Sequence, residues 1–194
     1  MDAQVLLSSA SELFERQRVR RYVPAPYAQR QPQITSPLLL MIEVNERIEV
    51  VSTPQAVWTI LSDPNAVVEC VEGAVLGEKN DDGSFNAKLA VKFGPAKVSF
   101  NANVIVEYDE PNKSGNVIAR GKDSISGTKF RTSMQFKVEG QDAPPQSVIP
   151  IKAECEITGR LSSLIETGAN LVIKRMTTSF AEKLAERCGG TKAP

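Results

Sequence analysis

The sequence predicts an α+β domain in which a curved antiparallel sheet wraps around one long C-terminal helix. Three features predict it. Between residues 85 and 157 long runs alternate apolar and polar side chains, as strands with one wet face do. Behind Thr53-Pro54 and Asp63-Pro64 two short apolar segments have room for one small helix each. After Gly159, apolar residues recur at three- and four-residue steps, which is the stripe of an amphipathic helix. Strands this long curl rather than lie flat, and the helix has only their concave face to bury against.

The domain starts at Met41. Ile42, Val44, Ile48 and Val50 hold the even positions of a first strand, and Glu46 breaks that apolar face, which puts it at the mouth or edge. In STPQAVWTILSDPNAVVECVEGA, residues 52–74, Asp63 ahead of Pro64 has the character of a helix N-cap with proline at the first helical position. Trp58 reads as packed core, with stacking on a ligand as the alternative.

Asn80-Asp81-Asp82-Gly83 turns the chain into a strand with Phe85, Ala87, Leu89, Val91 and Phe93 on one side. Gly94-Pro95 turns it again, and Ala96, Val98, Phe100, Ala102, Val104, Val106 and Tyr108 continue the alternation. Asn116 to Gly121 form a shorter strand, and Thr128, Phe130, Thr132, Met134, Phe136 and Val138 face inward on the next. A loop over residues 140–145 precedes a last strand with Ile151, Ala153, Cys155 and Ile157 inward. The final helix presents Leu161, Leu164, Ile165, Gly168, Leu171, Val172, Met176, Phe180 and Leu184, and Gly189-Gly190 stop it. An interior Gly168 costs about 1 kcal/mol relative to Ala. Close helix-to-sheet approach and room for a ligand explain it equally well.

Composition removes whole classes of chemistry. The chain has no histidine, which excludes Ser-His-Asp and Cys-His nucleophile systems and imidazole metal sites. Cys70, Cys155 and Cys188 are far apart and include no Cys-x-x-Cys pair, so they read as structural thiols in a reducing, cytoplasmic setting. With 23 basic and 23 acidic residues the total charge draws the protein neither to nucleic acid nor to an anionic membrane. Carboxylates fall on outward strand faces, with no inward pair for acid-base work. Residues 1–40 form a separate N-terminal extension: Val5 to Phe14 hint at a short helix, Arg16 to Arg21 are basic, and a proline- and glutamine-containing segment follows. A flexible arm, a transit-like peptide, a surface-binding helix and a start upstream of Met41 all fit this extension. Residues 189–194 read as a tail.

Four segments carry a family pattern: VVSTPQAVWTILSDPNAVVECVEGA, KFGPAKVSFNANVIVEYDEP, EITGRLSSLIETGANLV and FAEKL. In this order they resemble the CoxG family of carbon monoxide dehydrogenase proteins, within the helix-grip superfamily of START, Bet v 1 and polyketide cyclase-like (SRPBCC) domains. The resemblance covers residues 41–188. Glu72 stands where the family has proline, and the family's usual domain lacks the N-terminal arm.

The resemblance implies a non-catalytic accessory protein of a molybdenum hydroxylase, one that binds an apolar molecule such as a lipid or quinone, with no metal and no cofactor of its own. Inward positions Phe93, Val98, Phe100, Met134 and Phe136 are expected to wall the cavity, roofed by Leu164, Gly168 and Leu171. Family members often carry a C-terminal tail that reaches the membrane. The chain stops at Pro194, so anchoring through such a tail is not expected, while peripheral contact at the inner membrane face stays open. Two rivals stand beside this reading. One is a cyclase- or hydrolase-like enzyme, for which Thr128, Thr132 and Tyr108 are the inward polar candidates; the other is an interaction module with a filled core.

Overall fold

The computed structural model describes residues 39–189 and the backbone of 191–192. The features noted between Val5 and Arg21, and most of the extension assigned to residues 1–40, lie outside the described residues.

The first strand, β1, spans Leu39–Val51. Two capped helices follow. Thr53 accepts the amide of Ala56 at 3.3 Å to start α1 (Pro54–Leu61), and Asp63 accepts that of Asn65 at 2.9 Å to start α2 (Pro64–Cys70). Each cap satisfies an amide that the helix cannot pair itself, and each proline occupies a position where its missing N–H costs nothing.

Strands β2 (Ala74–Lys79), β3 (Phe85–Phe93), β4 (Ala96–Asp109), β5 (Ser114–Asp123) and β6 (Lys129–Lys137) run as an antiparallel meander. Residues 140–145, expected as a loop, instead belong to a hairpin of β7 (Glu139–Asp142) and the start of β8 (Pro145–Thr158). The reason is backbone pairing. β6 covers β8 only from Ile151 to Thr158, so the amides and carbonyls of β8 before that point need another partner, and β7 supplies it from Pro145 to Val148. Helix α3 (Ser162–Arg187) then crosses the sheet, and β9 (Thr191–Lys192), within the expected tail, pairs with Val50 and Val51.

The sheet order is β2-β3-β4-β5-β6-β8-β1-β9. Since β9 covers only the last two residues of β1, the outer edge of β1 from Leu39 to Glu49 has no strand partner among the described residues. Two buried clusters fasten α3 to the concave face. In one, Ile48, Val50, Val138 and Ile149 meet Val57, Trp58 and Leu61 of α1 and Ala181, Leu184 and Ala185 of α3. In the other, Val91, Phe93, Val98, Phe100 and Ile157 meet Ile165 and Ala169. Each large side chain buried this way contributes about 1.5–3 kcal/mol. The clusters' fully buried helix residues lie towards opposite ends of α3, with the partly buried Val172, Ile173, Met176 and Phe180 between them, and that stretch positions the site.

Candidate functional site

Cross-strand register gives the floor between the clusters. Val106, Val117, Met134, Ala153 and Val44 are successive partners across β4, β5, β6, β8 and β1, so all five point to the concave side. All five are only half-buried, and none packs into either cluster. The adjacent row, Val104, Ala119 and Thr132, is also half-buried. The middle of the concave face is therefore a partly covered trough, floored mainly by small and medium apolar side chains that belong to neither cluster. At the edge of β1 that lacks a strand partner, a cleft of about 430 Å³ lies between Val44, Glu46 and their neighbours on β1 and Asn170, Ile173 and Lys174 of α3, and Val44 is the member of the row that lines it.

Aromatic rings close the two ends. Trp58, 3% exposed, meets Tyr108 edge-on at 6.0 Å and Phe136 at 6.4 Å. At the other end Phe100 and Phe130 form an edge-on pair at 5.2 Å. The rings of β6 lie down rather than stand up, because each crosses a glycine of β5. A Cβ on Gly115 would lie 2.6 Å from the Phe136 ring, and one on Gly121 would lie 2.7 Å from that of Phe130. With both rings laid over glycines, the central rows keep their free volume.

The expected wall and roof residues divide accordingly. Met134 lines the trough. Phe93, Val98 and Phe100 are packed core under α3, with Leu164 against the same cluster, and Phe136 packs with Trp58. Leu171 belongs to the opposite side: it is 74% exposed on the solvent face of α3 and roofs nothing. Its place in the apolar spacing misleads because the stripe that faces the sheet runs through Ile165, Ala169, Val172, Ile173, Met176, Ala181 and Leu184, and Leu171 falls outside it. Gly168 lies where a Cβ would come 2.9 Å from Phe93 Cδ1, so close helix-to-sheet approach accounts for it. Val44, Val106, Val117 and Ala153 are legible in the sequence as inward positions. What marks them as a trough is the smallness of their row and the distance between the two clusters. Asn170, Ile173 and Lys174 escape sequence reasoning, since their only signal is a place midway along the helix.

The floor is chemically neutral. Burial pushes the Cys155 thiol up, against the opposing hydrogen bond that Thr132 Oγ1 donates to its sulfur at 3.1 Å. Burial, with the charge of Asp63, also raises the Tyr108 phenol. Thr128 is committed to structure: its hydroxyl accepts the Leu161 amide at 3.1 Å and the Ser126 hydroxyl at 2.9 Å. Glu46 and Lys174 line the cleft mouth, and neither has an ion-pair partner among the described residues. Among the described residues no three Cys, Asp or Glu side chains converge as a metal site. The arrangement sets an apolar row beside a polar rim, a kind of lining that small-molecule sites share.

Residues 47–189, about three quarters of the chain, match the family model that describes CoxG, the G-type subunit of carbon monoxide dehydrogenase. The chain belongs to the CoxG family. Its fold is shared more widely than its sequence. A conserved protein from Geobacillus kaustophilus superposes with a TM-score of 0.66 at 18% identity, over 76% of this CoxG chain and 95% of that one. An aromatase/cyclase from Streptomyces sp. R1128 gives 0.54 at 13% identity, over 77% and 94%. A Thermus thermophilus protein gives 0.55 at 12%, over 76% and 97%. At these identities the likeness concerns the helix-grip scaffold alone. No curated protein sequence matches this CoxG chain. No helix among the described residues is long and apolar enough to cross a membrane.

Proposed function

We propose that this CoxG protein is a non-catalytic carrier that binds an apolar molecule with a small polar head, a lipid or quinone, and serves a molybdenum hydroxylase of the carbon monoxide dehydrogenase type. One observation carries the reading. The Val106–Val117–Met134–Ala153–Val44 row is apolar, faces the helix and is covered by neither core cluster. A row of this kind in a filled core would be packed to the density of its neighbours. The ligand's body lies along that row, and its head sits at the mouth by Glu46 and Lys174. Met134 lines the body of the site, while Phe93, Phe100 and Phe136 set its length from both ends. The enzyme reading draws no support from Thr128 or Thr132, whose hydroxyls serve structural hydrogen bonds.

Solvent extraction of natively purified protein, followed by mass spectrometry, is expected to release one lipid or isoprenoid class. Ligand-free protein is expected to bind 1-anilinonaphthalene-8-sulfonate with enhanced fluorescence. Ala153→Trp fills the trough and is expected to abolish that fluorescence while the protein stays folded by circular dichroism. Folded protein that releases no apolar ligand and binds no probe sinks the carrier reading. Co-purification from the native source tests the partner separately, and repeated recovery without any hydroxylase component refutes that half.

A further inference from the structure

The two edges of the sheet are built differently. At one edge β2 is six residues long and slips register against β3 between Leu76 and Lys79. Short, irregular strands of that kind keep an edge from pairing with another chain. At the other, β1 runs thirteen residues in unbroken register with β8. From Leu39 to Glu49 it has no proline, no lysine and no bulge, and its outer amides and carbonyls have no strand partner among the described residues. A cleft adjoins residues 43–46 on the side of α3, so space, not helix, borders that stretch of the edge.

Charge decides what fits there. The outward side chains of this stretch are Met41, Glu43, Asn45, Arg47 and Glu49, and the inward ones are Ile42, Val44, Glu46 and Ile48. Two copies laid antiparallel, edge to edge, must set outward against outward, which leaves only registers centred on a single residue. Centred on Asn45, Glu43 of each copy lies opposite Arg47 of the other, Ile42 lies opposite Ile48, and the two Asn45 side chains face each other. Centred on Glu43 or Glu46, carboxylates meet on the axis; centred on Ile42 or Val44, no opposite charges pair. Opposite charges across antiparallel strands attract and like charges repel, so among the registers that use most of the edge the Asn45 one is favoured. Glu43 also lacks such a partner within its own chain. It lies directly opposite Glu154 of β8, both are exposed, and neither has an ion-pair partner among the described residues. Arg47 is held on the outward face by Glu49 at 3.0 Å. A patch that complements itself about a two-fold axis is what a symmetric dimer requires.

We propose that this edge joins two copies of the chain into a two-fold dimer, β1 against β1 with Asn45 on the axis, so that both sheets become one through roughly eight backbone hydrogen bonds. Glu46, the one inward charge, is half-buried on the cleft rim that Lys174 shares, and in the dimer it meets Val44 of the second copy. The two clefts then lie side by side across the axis. The inference is independent of the carrier reading.

Sedimentation equilibrium of the full chain tests it, with a rise in mass expected from 21.1 kDa toward twice that as concentration increases. Glu43→Arg and Arg47→Glu each set like charges opposite each other at both pairs, and each is expected to weaken the dimer about 30-fold. Combined, the two exchanges make opposite charges face again and are expected to recover most of the loss. At a concentration where the parent is monomeric, Glu43→Arg is expected to melt no lower than the parent, since it also ends the repulsion from Glu154, so lost association is not lost folding. Asn45→Cys is expected to give a disulfide-linked dimer on oxidation with diamide, whereas Met41→Cys, opposite Glu49, is not. A monomer at every concentration, with the edge bare or covered by residues 1–38, overturns the proposal. So does a dimer that neither single exchange weakens, that the double exchange does not restore, or that cross-links through Met41→Cys in place of Asn45→Cys.

Discussion

Single positions of this fold are decided by fractions of an ångström and by which donors reach a carboxylate. Gly168→Ala sets a helix-propensity gain of about 1 kcal/mol against an overpacking cost of about 1–3 kcal/mol. Phe93 is buried among Ile165, Ala169 and Val98 and has no room to swing away, so the cost prevails. Urea unfolding is expected to show a net loss of about 1 kcal/mol, recovered when Phe93→Leu is added. A variant more stable than the parent removes the steric reading. Asp123 is a second such position. Burial raises its carboxyl, but the amide and hydroxyl of Ser126 and the amide of Ile125 together outweigh that and hold it below the ordinary aspartate value. Its cover comes from its own turn, not from the core, so the effect is modest. A depressed folded value means that the carboxylate stabilises fully above about pH 5 and loses that contribution as pH falls through the unfolded value near 3.9 toward the folded one. Asp123→Asn is therefore expected to cost about 1 kcal/mol at pH 7, with the gap to the parent narrowing between pH 5 and pH 3 in chemical denaturation. A gap that stays constant over this range refutes the assignment.

Helix α2 and the turn after it meet α3 through two ion pairs, Glu69 of the helix with Arg187 and Glu72 of the turn with Arg175 at 2.9 Å. Glu72 occupies the position where the CoxG pattern has proline, and the pair gives that carboxylate its structural role. Both pairs are largely exposed, and exposed pairs contribute about 0–1 kcal/mol. Arg175→Ala is expected to lower stability by less than about 1 kcal/mol and to leave probe binding in the trough unchanged; a loss of binding would make the clip part of the site. At this scale the sequence is a good guide wherever one local signal fixes one element. The Thr53-Pro54 and Asp63-Pro64 caps, the alternation of β3, β4 and β6, and the long helix all appear where their residues place them. The β7–β8 hairpin is illegible because it exists to satisfy backbone groups that β6 leaves open, a consequence of strand lengths and not of any residue in 140–145.

The whole molecule adds what no single element holds, namely the distance between its two cores. Inward positions are readable from period-2 spacing, but which of them are filled depends on where α3 comes down. Leu171 shows the limit: an apolar residue near the expected spacing ends on the wet side because its neighbours Val172 and Ile173 take the places that face the sheet. The arrangement makes the concave face uneven in stability, and that unevenness is measurable. Leu184 and Ile149 are wholly buried in one cluster, and truncating either to Ala is expected to cost about 2–5 kcal/mol, transfer and cavity terms together. Met134 and Val117 point to the same side of the same sheet but lie in a band that is only partly covered and belongs to neither cluster. Their truncation removes atoms that already touch open volume, so no new cavity forms and each is expected to cost about 1 kcal/mol. A saturating apolar ligand covers that band, so its presence is expected to widen the loss at Met134 and Val117 toward the core values while leaving Leu184→Ala unchanged. Equal losses at all four positions in ligand-free protein would mean that the concave face is one continuous packed core and that the trough does not exist.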